Sequence, residues 1–340
     1  MNVRRVSALV ALALALIALD NPQAAAQTID QDFYYKLSTQ FRGIERKLDV
    51  FNGGPKNNLT RLEPDQNFSG QFWKFRKNAD GTFRLSTFFR GPDMCLDIFN
   101  GGPNNNQPHL APCANFSGQL WTLTKIGRVV KDNGIEFLAN IPVSDGAFKR
   151  AEFVVQQMLS NSPGIRKRMA EIGFKVEIIG KDQLPSDVPG YAYLRTMKTF
   201  DGRPFDTGTR GVGDRDKCSI GEENLLCLNN QQYPDEDILA HEFAHSMMSN
   251  MDPEDVQRIK AAYQNAVDKK LYPQGIYMMA NEKEYWAEGV QAWLGVTQRS
   301  DVNGGFNTQQ KIKDHDKALA SILEKVFGPL QLQHVPGCKY

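Results

Sequence analysis

The stretch DILAHEFAHSMM, residues 237–248, sets two histidines four residues apart around a glutamate, in a 340-residue chain with five histidines in all. On a helix, His241 and His245 lie one turn apart and project from one face, so both imidazoles can reach a single ion. Glu242 is offset around the helix, close enough to touch a water on that ion without ligating the ion itself. The same letters also suit an ordinary buried helix. A third ligand decides between the two, because a catalytic zinc site uses three protein ligands.

The candidate lies in NEKEYWAEGVQAW, residues 281–293, where Asn281 is placed as an N-cap and Trp286 and Trp293 need burial. Glu284 and Glu288 fall on one helix face, where two carboxylates repel unless a positive group lies near them. A zinc site resolves this: Glu284 ligates, and Glu288 orients a ligand histidine through its free ring N–H. A solvated acidic face is the plainer alternative, but the flanking tryptophans and alanines call for a packed helix. From about residue 135 the chain reads as alternating helices and strands. Phe148, Ala151, Val155 and Met158 fall at helical spacing, Ser162-Pro163 reads as a helix start, Gly173 as a stop, and FKVEII as a strand.

The first half has a different texture. KLSTQF at 36 returns as RLSTFF at 84, LDVFNGGPKNN at 48 as LDIFNGGPNNN, and NFSGQFW at 67 as NFSGQLW, each pair offset by 48 residues. A constant offset over three blocks means two copies of one structural unit. Short β-branched and aromatic runs between Gly, Pro and Asn clusters predict all-β hairpins. Ahead of the repeats, MNVRR, an apolar run to Leu19 and a small-residue site around Ala24 and Ala26 make residues 1–26 a secretory signal peptide cut after Ala26. The protein is therefore expected to be secreted or periplasmic, with no membrane association once the signal is cut. A net charge of +1 without basic blocks argues against a nucleic-acid partner. Export permits disulfides, and the spacing of Cys95, Cys113, Cys218, Cys227 and Cys338 suggests two local loops and one leftover.

The duplicated blocks resemble the ricin B-type lectin repeat, marked by Cys-x-Asp and Gln-x-Trp. The second copy has Cys95 to Asp97 and Gln119 to Trp121, and the resemblance implies a Cys95–Cys113 disulfide. The first copy has KLD and QFW, with Lys47 and Asp65 at the cysteine positions, where an ion pair is expected instead. The resemblance implies a β-trefoil, of which two repeats are visible. Asp49 and Asp97 match the family's sugar-binding carboxylate and Gln71 and Gln119 stand beside them, which makes glycans candidate partners. The stacking ring is missing, since Glu63 and Ala111 occupy its position, and Gly70 and Gly118 replace an Asn. On the bland reading, Gln71, Trp73, Gln119 and Trp121 simply hold the unit together.

The second half resembles the gluzincins, in particular the catalytic domain of the anthrax lethal factor-like group. The residues that carry this are HEFAH, then Asn281, Glu282, Glu284, Ala287 and Glu288, with Tyr277 seven residues before the ligand glutamate. The resemblance implies zinc on His241, His245 and Glu284, Glu242 as general base, and Tyr277 beside the substrate carbonyl. EENLLCLNN, residues 222–230, is expected to supply the edge strand that pairs with substrate, and a Cys218–Cys227 disulfide is expected to steady it.

The expected architecture is a signal peptide (1–26), a ricin B-type β-trefoil-like domain (33–127) and an α+β zincin domain (133–340). The expected function is zinc-dependent hydrolysis of peptide or protein substrates. The alternative is a secreted lectin or adhesin-type binding protein whose zinc domain is not hydrolytic.

Overall fold

A computed structural model describes residues 29–339 apart from 44, 125, 230 and 335–337. The signal-peptide reading of residues 1–26 lies outside the described residues. The chain divides into two compact units, one reaching Lys125 and the other starting at Ile126. Among the described residues no helix is long and apolar enough to cross a membrane.

The first unit is built of short strands: β1 (Tyr34–Tyr35), β2 (Arg46–Val50), β3 (Thr60–Pro64), β4 (Trp73–Lys77), β5 (Phe83–Thr87), β6 (Met94–Ile98) and β7 (Pro108–Pro112). The sequence duplication reappears as two hairpins in the same register, with Leu48 opposite Leu62 in β2–β3 and Leu96 opposite Leu110 in β6–β7. Turn chemistry explains the match. Both loops put a glycine pair at positive φ (Gly53 and Gly54, Gly101 and Gly102) and follow it with an asparagine, Asn58 or Asn106, in the left-handed region. Each hairpin is tied to its own Gln-x-Trp: Trp73 Nε1 donates to the Leu48 carbonyl at 2.8 Å, and Trp121 Nε1 to that of Leu96 at 3.0 Å. Val50, Trp73, Phe75, Leu85, Leu96 and Leu110 form the core of this unit.

Cys95 and Cys113 are bonded, with their Cα atoms 5.0 Å apart. At the matching positions of the first copy, Lys47 Nζ stands 3.6 Å from Asp65, but Lys36 is nearer at 2.5 Å. That closer ammonium, by its hydrogen bond, holds the Asp65 carboxyl below its ordinary range.

The second unit centres on a five-stranded sheet. Its strands are β8 (Arg128–Asp132), β9 (Ile135–Ala139), β10 (Lys175–Ile179), β11 (Gly211–Gly213) and β12 (Lys217–Gly221), in the order β11-β12-β10-β9-β8. β9, β10 and β12 run parallel, while β8 and β11 are antiparallel edges. Its helices are α1 (Asp145–Met158), α2 (Pro163–Glu171), α3 (Phe205–Gly208), α4 (Glu222–Leu225), α5 (Ile238–Ser249), α6 (Pro253–Asp268), α7 (Glu282–Leu294), α8 (Gln309–His315) and α9 (Lys317–Phe327). Val176, Ile178, Cys218 and Ile220 alternate onto the sheet face that shares a core with α1, α5 and α7. On α1, Phe148, Ala151, Val155 and Met158 are buried in this core.

Two expectations are corrected here. Residues 222–230 do not form the edge strand: α4 and a turn occupy Glu222 to Cys227, and the edge facing α5 is β11. Its sequence, Gly-Val-Gly, explains how close it comes. A Cβ at Gly211 would lie 2.7 Å from Ile238 and 2.8 Å from Glu242, and one at Gly213 would collide with the Glu242 carbonyl oxygen. Nor does Cys227 pair with Cys218. It is bonded to Cys338, Cα to Cα 5.3 Å, and Cys218 is a free thiol buried in the core. The reason is the direction of β12, which turns Cys218 into the packed face of the sheet.

Candidate metal centre

α5 begins where three side chains converge. Asp237 caps it by accepting from Ala240 N at 3.0 Å, and Asp237 is itself ion-paired to Arg150 at 2.9 Å. Asn224 accepts from Ile238 N and donates to the Glu236 carbonyl, both at 2.9 Å. The helix is buried nearly all round, His241 and Ser246 included, as a core helix is. α7 is fixed as firmly. Asn281 caps it, accepting from Lys283 N and Glu284 N, and Trp286 Nε1 donates to the Ala244 carbonyl of α5 at 2.9 Å.

This packing brings together His241, His245 and Glu284, whose ligand atoms all lie within 4.8 Å of one another. Glu284 Oε2 is 3.1 Å from His241 Nε2 and 3.5 Å from His245 Nε2. Two imidazole nitrogens and one carboxylate oxygen at this spacing can hold one metal ion. Burial pushes the Glu284 carboxyl up, but hydrogen bonds from His241 and His245 outweigh it and hold the group well below the carboxylate range. Burial pulls His241 down, yet Glu284 and the neighbouring carboxylates raise it. A metal held here would take the two imidazoles as neutral ligands and Glu284 as a carboxylate.

Glu242 and Tyr277 both stand on the walls of a cavity of about 540 Å³ that opens onto the three donors. Burial raises the Glu242 carboxyl, a shift opposed by His241 and His245 and by a hydrogen bond from the Gly213 backbone. Tyr277 sits in a short 3₁₀ turn before α7, its ring centroid 6.3 Å from that of His241. Burial first, then Glu284, raises its phenol above the ordinary range, so it stays a hydrogen-bond donor.

Glu288, expected to orient a histidine, stands 3.7 Å from His241 Nδ1, beyond hydrogen-bond reach. Gln291, one turn further along α7, is 3.0 Å from that nitrogen through Oε1. Its Nε2 donates to the Asp237 carbonyl at 3.0 Å, so the amide can only turn its oxygen to the histidine. A neutral His241 then keeps its proton on Nδ1 and offers the Nε2 lone pair to the cluster. In the sequence, the available signal was a polar residue seven positions after Glu284, on the helix face that Glu284 and Glu288 share. Gln291→Leu is expected to lower metal affinity about 10- to 100-fold, and Gln291→Glu to keep it, in a competition titration against a chelating dye. Equal affinity in the leucine variant would remove Gln291 from this role. Glu288 itself is buried, and that burial pushes its carboxyl up to about 8.

In the first unit, Asp49 and Asp97 are turned inward. Their Oδ1 atoms accept from Val50 N and Ile98 N, and Gln119 Nε2 donates to Asp97 at 2.9 Å and Gln71 Nε2 to Asp49 at 3.4 Å. Both glutamines are fully buried, and a Cβ at Gly70 or Gly118 would collide with the adjacent carboxylate. These four side chains hold their repeats together through internal hydrogen bonds.

No family model matches the chain, and no curated protein matches it. Among solved structures it is similar to a mosquitocidal holotoxin, at 20% identity over 28% of this chain with a TM-score of 0.24. It covers 12% of that toxin. It is also similar to a Pro-Pro endopeptidase from Paenibacillus alvei, at 17% identity over 56% of this chain and 97% of the other, with a TM-score of 0.38.

Proposed function

We propose that the second unit is a zinc-dependent metallopeptidase of the gluzincin type, exported from the cell, and that the first is a ricin B-type β-trefoil of two recognisable repeats. The observation that carries the enzymatic reading is the convergence of His241, His245 and Glu284 at the wall of a cleft that also exposes Glu242 and Tyr277. The donor set would suit zinc: two imidazoles and a carboxylate, all three lining the cavity.

Zinc in such a site acts as a Lewis acid on water and on a carbonyl oxygen. The chain's own residues do the rest. Glu242, on the cavity wall, takes the proton of the attacking water, and its raised affinity for protons suits a general base. Tyr277 donates a hydrogen bond to the carbonyl oxygen as charge develops there. β11 is the edge of the sheet over α5, where an extended peptide would add as a further strand by replacing the Thr209 hydroxyl that now bonds Gly211 N–H and C=O.

The direct test is cleavage of a peptide library by purified protein, stopped by a chelator and restored by stoichiometric zinc. Absence of cleavage across the library, with zinc demonstrably bound, would leave a non-hydrolytic metal domain instead. Tyr277→Phe is expected to bind zinc normally and to lower kcat about 10- to 1000-fold. A variant as active as the parent would make the tyrosine packing only.

A further inference from the structure

A second cavity, of about 450 Å³, also reaches His241, Glu242 and Tyr277 but extends past Ile238 toward the N-terminal end of α5. Beyond Glu242, its charged lining is uneven: Asp201, Glu236, Glu288 and Asp301 face two bases, Arg203 and Arg299. Both arginines are already engaged. Arg203 Nε donates to Asp201 at 2.8 Å, while Arg299 donates to Glu236 and to Asp301, each at 2.7 Å.

The remaining acid is Glu288. It is 1% exposed, and its Oε2 accepts no hydrogen bond among the described residues. A buried carboxyl oxygen without a donor is costly in its ionised form, and a ligand bringing charged N–H groups on a long stem offsets that cost. Two solvent-facing carboxylates stand nearer the outside, Asp201 with its side chain 36% exposed and Asp301 with 69%. Each is paired to an arginine, Asp201 to Arg203 and Asp301 to Arg299, so the lining's pull on a cation comes from its excess of four acids over two bases. An apolar side chain would leave Glu288 Oε2 as it is.

We propose that this cavity recognises a basic side chain, lysine or arginine, next to the peptide bond being cleaved. The inference rests on the peptidase reading for its substrate, but the charge arrangement stands without it. Arginine and lysine both present several donors on flexible stems, so the class is a basic residue rather than one of the two.

The test uses acetylated, amidated peptides carrying Lys, Arg, norleucine or Glu at each position around the scissile bond. Cleavage by the zinc-loaded protein is read by mass spectrometry, and binding to zinc-loaded Glu242→Gln protein by calorimetry. At one position flanking the bond, Lys or Arg is expected to be favoured over norleucine about tenfold in both readouts. Glu288→Gln should abolish most of that preference, and the surface double variant Asp201→Asn, Asp301→Asn, which leaves the core untouched, should reduce it several-fold. Cleavage indifferent to charge at every position would overturn the pocket and leave the peptidase standing. Selective binding of basic peptides with no cleavage of any peptide would keep the pocket and remove the peptidase. Neither selective binding nor cleavage would remove both.

Discussion

Glu242→Gln is expected to keep a full complement of zinc and to lose turnover on the order of 10³-fold or more, whereas Glu284→Ala loses the metal itself. The contrast follows from where the two carboxylates stand. Glu284 lies between His241 Nε2 and His245 Nε2, within 3.5 Å of both, and is the only anion of the donor set. Deleting it leaves two imidazoles, one donor too few for a firmly held ion. His241→Ala should strip the metal for the same reason. Glu242 is not among the donors. It faces the cavity, so a glutamine of the same shape fits its place but cannot accept a proton. Metal content by mass spectrometry, set beside kcat/KM for each variant, separates the two roles. Full zinc occupancy in Glu284→Ala would sink the ligand assignment, and an active Glu242→Gln would sink the general base.

What the sequence made legible was whatever depends on local chemistry. The paired glycines and the asparagines at 58 and 106 specify the same hairpin twice, so the duplication could be read before any contact was known. Asp237 and Asn281 mark helix starts by the same local rule, each capping the helix that follows it. The parts that escaped are set by partners distant in the chain. β11 is three residues long and has no hydrophobic alternation to show. It exists because β12 pairs with it and because two glycines let it lie against α5. Gln291 earns its place only through Asp237, 54 residues away, which fixes the direction of its amide. Cysteine connectivity is likewise tertiary information: spacing favours neighbours in sequence, while bonding follows which side chains the fold turns toward one another.

The pairing of Cys227 with Cys338 has a large expected effect on stability. The Cys227–Cys338 bond spans 111 residues and closes a loop containing both α5 and α7, the two helices that bear the donor set. In the chain-entropy account, a closed loop of roughly 100 residues restricts the unfolded state by about 4.7 kcal/mol. The folded side gives no sign of a slack tether. Between α9 and Cys338, Leu332 N donates to the Leu294 carbonyl at 3.0 Å, and Gln331 Nε2 to that of Trp293, so the tail lies along the end of α7. Arg150 joins the Gln333 carbonyl to Asp237, the cap of α5, through its two terminal nitrogens. Cys338→Ser is therefore expected to destabilise the second unit by about 4 kcal/mol, a fall in Tm on the order of 10 °C, since the lost restraint acts over the whole loop. Zinc should still bind in the folded variant, because neither cysteine touches a donor. Cys218→Ser should behave differently, leaving the disulfide pattern unchanged, because burial raises its thiol and keeps it unreactive inside the core. Non-reducing peptide mapping together with thermal melts of the two variants tests this directly. A fragment joining Cys218 to Cys227, or a Cys338→Ser protein as stable as the parent, would overturn it.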